Sequence, residues 1–288
     1  MASLKEIKSR IQSVKSTQKI TSAMKMVSSA KLRKAQKAIE NFFPYEQRMN
    51  GLLNNFLSAE TDITFVFSEV REVKRVAIVV FSSNSSLCGA YNSNVSKLLA
   101  QTVEKYSKLG REHILIYPVG KKVAKATHKL GFEPEANFEV MADKPDYALA
   151  AELADDLMAL FKNKDVDKVE LIYHHFASKS LQVLTSETFL PIQLTPSQKG
   201  TVALDYIVEP DRETIMSELI PKVLRQKIYT ALLDSNASEH AARTVAMQMA
   251  TDNATDLLQE LSLQYNKSRQ QAITNELLDI VGGSFGRN

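Results

Sequence analysis

The 288-residue sequence contains few of the residues that cross-link a chain or interrupt its helices. It has one cysteine, Cys88, with only 9 Gly and 8 Pro. A single thiol cannot form an internal disulfide, which favours a reducing compartment. Scarce Gly and Pro permit long helices. No run approaches the roughly 18 consecutive apolar residues of a transmembrane helix, and the N-terminus lacks the apolar core of a secretory signal. We therefore expect any membrane association to be indirect, through a partner.

Charge of one sign is also not in large excess. The formal net charge is +3, with 24% charged and 44% hydrophobic residues. A net charge this small gives no strong electrostatic attraction to nucleic acid or to an anionic membrane surface. The charge is nevertheless uneven, because residues 1–40 hold ten basic and two acidic side chains, whereas residues 211–260 hold five basic and eight acidic ones. Opposite charge at the two chain ends favours pairing between them.

The first 58 residues have the pattern of a long helix. Residues 3–43 contain no Gly or Pro, and apolar residues begin a seam with alternating spacings of three and four. The seam starts with Leu4, Ile7, Ile11 and Val14. We expect it to become polar or small at Gln18 and Thr21 and to resume through Met24 and Val27 into the small residues Ser28, Ser29 and Ala30. Pro44 is expected to interrupt or kink the helix, which should end near Ser58.

Residues 211–282 have the matching pattern at the other end. Asp211 can cap the first turn, and helical periodicity continues to Val281, before Gly282 and Gly283 are expected to end the helix. About seventy helical residues span on the order of 100 Å, which is too long for the core of a small domain. We therefore predict that residues 1–58 and 211–282 pair as a long antiparallel coiled coil.

The middle of the chain, residues 73–200, predicts a Rossmann-like α/β lobe inserted between the two helices. Short runs rich in β-branched and aromatic residues alternate with helical patterns, as in a parallel sheet with helical crossovers. The predicted strands are Val76–Phe81, Ile114–Val119, Val169–His175 and Leu181–Phe189, and the predicted helices are Tyr91–Leu109, Lys121–Leu130 and Tyr147–Phe161. The fold class is therefore α/β, with a coiled coil of terminal helices.

Candidate chemical sites are sparse in this sequence. The turn at residues 82–89 has one Gly and no dinucleotide or phosphate-loop fingerprint. Gly120 opens a helix after a strand and so leaves an anion site open, although a solvated loop is the commoner reading. His174 and His175 are adjacent on a strand and point to opposite faces. Cys88 reads either as a nucleophile with a distant His or as a small apolar residue. We expect no catalytic residue, cofactor or metal.

Several stretches resemble the gamma subunits of F-type ATP synthases. Residues 9–27, SRIQSVKSTQKITSAMKMV, are similar to the N-terminal signature of that family. The C-terminal helix adds SEHAAR at 238–243, ATDNA at 250–254, YNKSRQQAIT at 265–274 and IVGG at 280–283, and the lobe adds LCGAYN at 87–92. The chain departs from the usual pattern at Asn84, Ser86 and Thr244, where the family commonly has Asp, Gly and Met.

The resemblance implies a non-catalytic rotor shaft. Its expected partners are a hexamer of alpha and beta subunits, an epsilon subunit and a membrane c-ring. The complex would couple proton or sodium flow to ATP synthesis or hydrolysis, at the cytoplasmic face of the bacterial inner membrane. By resemblance, the contacts to the hexamer are Met24, Lys25, Arg243, Arg269, Gln270, Ile273, Thr274 and Leu277. The alternatives are a nucleotide-dependent enzyme built on the lobe and a nucleic-acid-binding coiled-coil protein, whose affinity would fall steeply with salt.

Overall fold

The computed structural model describes residues 3–58, 66–192, 209 and 211–285. Its helices and strands, in chain order, are α1 Leu4–Ser58, β1 Val76–Phe81, α2 Tyr91–Lys105, β2 Ile114–Val119, α3 Lys121–Lys129, α4 Glu139–Asp143, α5 Tyr147–Lys162, β3 Lys168–Phe176, β4 Gln182–Leu190 and α6 Arg212–Phe285. The chain divides into two compact units. The smaller unit is Met1–Ser28 with Thr244–Asn288, and the larger unit is Ser29–Arg243.

In the smaller unit, α1 and α6 run antiparallel. The residue number on α6 falls as the number on α1 rises, in three hydrogen bonds between the helices. These bonds are Gln18 Nε2 to Thr255 Oγ1 at 2.8 Å, Thr21 Oγ1 with Thr251 Oγ1 at 2.8 Å, and Lys25 Nζ to Gln248 Oε1 at 2.9 Å. Buried Ile7 and Leu261 continue the same seam towards the start of α1. The predicted antiparallel coiled coil is confirmed here.

The buried seam on α1 keeps its alternation of three and four residues beyond Thr21, where we expected it to pass through Met24 and Val27. Thr21 and Ser28 are buried, whereas Val27 is 57% exposed. The expected return of the seam through Val27 is therefore wrong. A strict heptad keeps one face towards the partner helix even when polar residues occupy it. Met24 and Val27 are apolar but lie outside the alternation that continues through Thr21 and Ser28, so apolar character alone does not locate the seam.

In the larger unit, a four-stranded sheet has the order β2-β1-β3-β4. Strand β1 pairs parallel with both β2 and β3, and β4 pairs antiparallel with β3. All six residues of β1 are buried. Since successive side chains of a strand point to opposite faces, Ala77, Val79 and Phe81 pack with α5 and α6, whereas Val76 and Ile78 pack with α2 and α3. Helices thus cover both faces of the sheet, as a Rossmann-like order predicts.

The predicted bounds of β1 and β2 are confirmed, and those of β3 and β4 differ by one residue at each end. Asp211 caps α6, with its Oδ1 accepting from the Thr214 N–H at 2.8 Å. The expected interruption at Pro44 and the expected helix end at the two glycines are wrong, and a kink at Pro44 stays a prediction. Pro44 lies inside α1, and α6 continues through its two glycines to Phe285. Beyond Pro44, α1 buries Leu53 in the main core, which favours continuation. Helical Gly costs only about 1 kcal/mol, so glycine alone does not end a helix.

The three-part domain division at residues 1–58, 73–200 and 211–282 stays a prediction, and residues 193–208 lie outside those described. Within the described ranges, no helix is long and apolar enough to cross a membrane.

Candidate functional site

The α1–α6 seam of the smaller unit carries two of the predicted contact residues. Lys25 donates to Gln248 Oε1, and Gln248 Nε2 in turn donates to both carboxylate oxygens of Asp252, at 2.8 and 2.9 Å. Lys25 is thus already part of a polar chain that joins the two helices. Met24 is half-buried. Lys25 therefore contributes to holding the helix pair together.

Apolar side chains stand exposed on the same helix pair. Ile20 is 59% exposed, Met26 63% and Met249 61%, in addition to Val27. Several exposed apolar side chains on one helix pair commonly mark a surface that a partner covers. Our sequence reasoning missed this surface because it assigned apolar residues to the seam.

The end of α6 carries five more of the predicted contacts. Arg269, Gln270, Ile273, Thr274 and Leu277 are all exposed. The register described above places Leu4, where α1 begins, opposite about residue 269, so the described part of α1 does not reach residues 270–281. We call residues 270–281 the tip. It exposes Ile273, Leu277, Leu278 and Ile280 by 45 to 69%. An apolar helix end of this kind resembles a surface that awaits a partner.

Arg243, also predicted to contact the hexamer, lies inside the larger unit. It is 8% exposed, and its Nη1 donates to Glu239 Oε1 at 2.6 Å. Its Nη2 donates to Ser85 Oγ at 3.0 Å and faces the Ser86 carbonyl at 3.4 Å. Burial raises the pKa of the Glu239 carboxyl, and the Arg243 guanidinium opposes that rise. Arg243 therefore fastens the loop after β1 to helix α6.

The loop itself is organised by the motif at residues 87–92. Asn92 Oδ1 accepts from the Ser83 N–H at 3.1 Å, and the Asn92 amide donates to Cys88 Sγ at 3.1 Å. Tyr91 OH bonds with Ser235 Oγ at 2.6 Å, which ties α2 to α6. Leu87 has a left-handed φ of 68° and is 57% exposed. Its strained backbone presents an apolar side chain to the outside.

The same contacts decide between the two readings of Cys88. It is 2% exposed. Its polar neighbours among the described residues are Ser83, Ser85 and Asn92, with no histidine at the sulfur. A nucleophile needs an adjacent base and access to a substrate. The packing role is therefore favoured.

The anion site left open at the start of α3 is filled by the chain. The N–H groups of the first helical turn already have acceptors. Lys121 N donates to Asn84 Oδ1 at 2.9 Å, and Val123 N donates to Ser82 Oγ at 3.0 Å. A Cβ on Gly120, where φ is 106°, would lie 2.5 Å from the Ser82 carbonyl oxygen. This glycine therefore allows the two loops to approach, and its helix has no free N–H cradle for phosphate.

Asn84, one of the departures from the family pattern, fits its surroundings. Its Nδ2 donates to the Glu139 carbonyl and to Asp143 Oδ2, both at 2.8 Å. An Asp at this position would place two carboxylates together. The amide is therefore matched to the acidic residue on α4, a short helix that the sequence reasoning missed because five residues show no period.

The adjacent histidines lie on opposite faces of β3, as predicted. His174 is 3% exposed and stacks on Tyr91, with 4.4 Å between the ring centroids. Burial lowers the pKa of His174 to about 4. His175 Nδ1 contacts Asp234 Oδ2 at 2.5 Å. Within the described ranges, no group of three His, Cys, Asp or Glu side chains is placed to hold a metal ion.

The fold and these surfaces define a class of protein in which an α/β sheet domain lies in sequence between two long helices that pair antiparallel and carry exposed apolar groups. A family model described as ATP synthase matches residues 3–285. The ATP synthase gamma chain of Phocaeicola vulgatus is 63% identical over 289 residues, which cover 99% of this chain and 100% of that protein. The gamma chain of Flavobacterium johnsoniae is 44% identical, with 100% of both chains covered.

Solved structures share the fold. A chain in the cryo-EM structure of the Euglena gracilis mitochondrial ATP synthase, OSCP/F1/c-ring, gives a TM-score of 0.68 at 20% identity, covering 98% of this chain and 94% of that one. The family is settled by the identities of 63% and 44% to two gamma chains over essentially the full length. The chain belongs to the ATP synthase gamma-chain family.

Proposed function

We propose that this chain is the central rotor subunit of an F-type ATP synthase and that it couples ion flow through the membrane to ATP synthesis or hydrolysis. The observation that carries the proposal is the exposed apolar tip of α6 in a chain aligned over its full length with gamma chains. A protein that worked alone would not be expected to leave such a helix end in water. We propose that a sleeve formed by the alpha and beta subunits covers the tip.

The proposed partners follow from the relatives. The related Euglena structure contains F1 and a c-ring. For this chain we propose the alpha and beta hexamer around the helix pair, with the epsilon subunit and the c-ring at the lobe. The chain would then be a peripheral component at the cytoplasmic face of a bacterial inner membrane. The coupling ion is a proton or sodium.

The proposed role requires no chemistry of the chain itself. Rotation drives catalysis only if each shaft angle binds the surrounding conformations with a different free energy. Directional contacts supply most of that difference. Apolar groups of the helix pair and tip provide contact area, and Arg269, Gln270 and Thr274 provide directional hydrogen bonds. We propose these three polar residues, with Ile273 and Leu277, as direct contacts to the hexamer.

For Lys25 and Arg243, which were also predicted as contacts to the hexamer, the hydrogen bonds within the chain favour a positioning role. Lys25 is bonded to Gln248, and Arg243 is bonded to Glu239 and the Ser85 loop. We propose that these two residues position the helix pair and the loop. Any effect of their loss on coupling would then come through that positioning. Met24, which is half-buried, stays a proposed contact to the hexamer.

Single-molecule rotation tests the proposal directly. Lys108, exposed on the lobe, would be replaced by Cys in a Cys88→Ser background, so that a bead attaches at one place. With the hexamer fixed to a surface, ATP should turn the bead in one direction, with three equally spaced dwells. An assembly that hydrolyses ATP while a firmly attached bead stays still would overturn the proposal.

Neither rival gains support from the structure or the relatives. The lobe enzyme lacks a free phosphate cradle at α3. The nucleic-acid alternative gains nothing from the relatives aligned over the full length, which are gamma chains.

A further inference from the structure

A polar cavity lies in the larger unit, apart from the surfaces described above. It has a volume of about 280 Å³ and is lined by α1, β3, β4 and α6. The lining residues are Glu46, Asn50, Tyr173, Glu187, Val223, Gln226, Lys227 and Thr230. Pockets for small ligands usually start at about 300 Å³, so this cavity suits a molecule of only a few heavy atoms.

Gln226 is the unusual member of the lining. It is 1% exposed, and among the described residues neither its Oε1 nor its Nε2 has a hydrogen-bond partner. Each unsatisfied buried polar atom costs about 1–3 kcal/mol, so native proteins rarely leave both ends of an amide unpaired. A single ligand group that both donates and accepts would satisfy the two atoms together. A carboxamide has that pair of groups.

The charges in the cavity select the sign of the ligand. Glu187 is already satisfied, because Tyr173 OH donates to its Oε1 at 3.1 Å and Lys227 Nζ lies 3.3 Å from its Oε2. Glu46 forms no ion pair within the described part of the chain. Burial raises the pKa of its carboxyl and nearby Asp234 raises it further, whereas Thr230 and His175 oppose the rise. One carboxylate is thus left without a cation, and a positively charged ligand would restore the balance.

We infer that this cavity binds a small organic ammonium compound that also carries an amide, with the ammonium facing Glu46 and the amide facing Gln226. A bare cation would satisfy only the Gln226 oxygen, whereas an uncharged amide would leave Glu46 unpaired. The site is independent of the proposed rotor role, since its residues lie outside the tip and the helix pair of the smaller unit.

The test is a titration of the full-length chain with glycinamide, followed through the ¹⁵N side-chain amide signal of Gln226. Gln226→Met assigns the signal by its disappearance. The signal should shift and saturate with a dissociation constant in the millimolar range, since so small a ligand has few atoms with which to bind. Acetamide, which lacks the ammonium, should bind at least about tenfold more weakly, given that charge-assisted hydrogen bonds are the stronger ones. Ammonium chloride should not reproduce the shift.

Variants locate the site. Glu46→Gln, which keeps the shape of the side chain, should weaken glycinamide binding by about tenfold or more. Glu40→Gln is the matched control, because Glu40 is an exposed carboxylate on the same helix, and it should leave binding unchanged. Absence of saturation would show that the cavity holds water only. Equal binding of acetamide, or equal affinity in Glu46→Gln, would show that Glu46 does not hold the ammonium. Each of these results would overturn the inference.

Discussion

Removal of the Arg243 guanidinium should destabilise the larger unit strongly. Arg243→Met keeps the length and much of the apolar surface of the side chain but leaves Glu239, whose side chain is 3% exposed, without its cation. Loss of one partner of a buried ion pair typically costs about 3–5 kcal/mol. The lost bond to Ser85 Oγ adds about 1 kcal/mol. We therefore expect the free energy of unfolding to fall by about 3–5 kcal/mol, with proton uptake by Glu239 limiting the loss.

A second ion pair on the same helix provides the control. Lys222 and Glu218 have the same i,i+4 spacing at 3.1 Å, but their side chains are 52% and 69% exposed. Exposed pairs of this kind contribute about 0.3–0.5 kcal/mol, so Lys222→Met should have little effect. Burial is the main difference between the two pairs.

The dependence on pH follows from the raised pKa of Glu239. Loss of Arg243 removes the interaction that lowers this pKa, so the folded-state pKa should rise further above the unfolded value. A carboxyl with a raised folded pKa costs stability as pH increases, because the folded state must then bury the charge. The deficit of Arg243→Met should therefore shrink as pH falls. Adding Glu239→Gln should recover part of the stability and remove this dependence.

Amide hydrogen exchange of the β1 peptide, residues 76–81, provides the assay, because the buried central strand reports opening of the larger unit. Protection should fall in Arg243→Met and remain near the native value in Lys222→Met. If both variants lost the same small amount, the buried pair would have no special weight and the reasoning from burial would be wrong.

Three further predictions concern other parts of the chain. Thr21→Val with Thr251→Val should leave the smaller unit equally or more stable in urea unfolding, since same-shape apolar groups replace a paired hydrogen bond; a loss above about 2 kcal/mol would contradict this. Protease should cut the tip early in the free chain, and Leu277→Asp should weaken its protection in the assembled complex, whereas equal cutting in both states would refute the sleeve. Burial lowers the pKa of His174 to about 4, so the unfolded state binds its proton more readily, and the free energy of unfolding should fall by about 3 kcal/mol between pH 6.5 and pH 4. This loss of stability should be smaller in His174→Asn and unchanged in the exposed control His128→Asn.

The sequence revealed those elements in which burial and periodicity coincide. Strand β1 is buried along its whole length, so its six β-branched and apolar residues form an uninterrupted run with clear ends. The long helices were also visible, because few residues break them. The antiparallel direction of β4 was not visible, since strand composition carries no direction. Only the register with β3 shows it.

The candidate site was less predictable because sequence patterns do not report burial. A family motif marks Arg243 as significant, but it does not distinguish an arginine that faces a partner from one that holds a loop. Its 8% exposure and the bond to Glu239 make that distinction. The unpaired amide of Gln226 was invisible for the same reason, since a single glutamine in a helix has no sequence signature.

The division between buried polar and exposed apolar residues bears on how a shaft can turn. Along the helix pair, Thr21 and Lys25 use their polar groups to join α1 to α6, whereas Met26 and Val27 are exposed. Hydrogen bonds depend on direction, so they suit a seam that must keep its register. Apolar contact is non-directional and roughly proportional to area, so a sleeve around such a surface would change little in energy with angle. Strong angle dependence must then come from the few exposed polar groups. On this argument, exchange of Arg269 or Gln270 should alter torque more than exchange of any single apolar tip residue, and rotation measured against a calibrated load would reveal the opposite order if the argument were wrong.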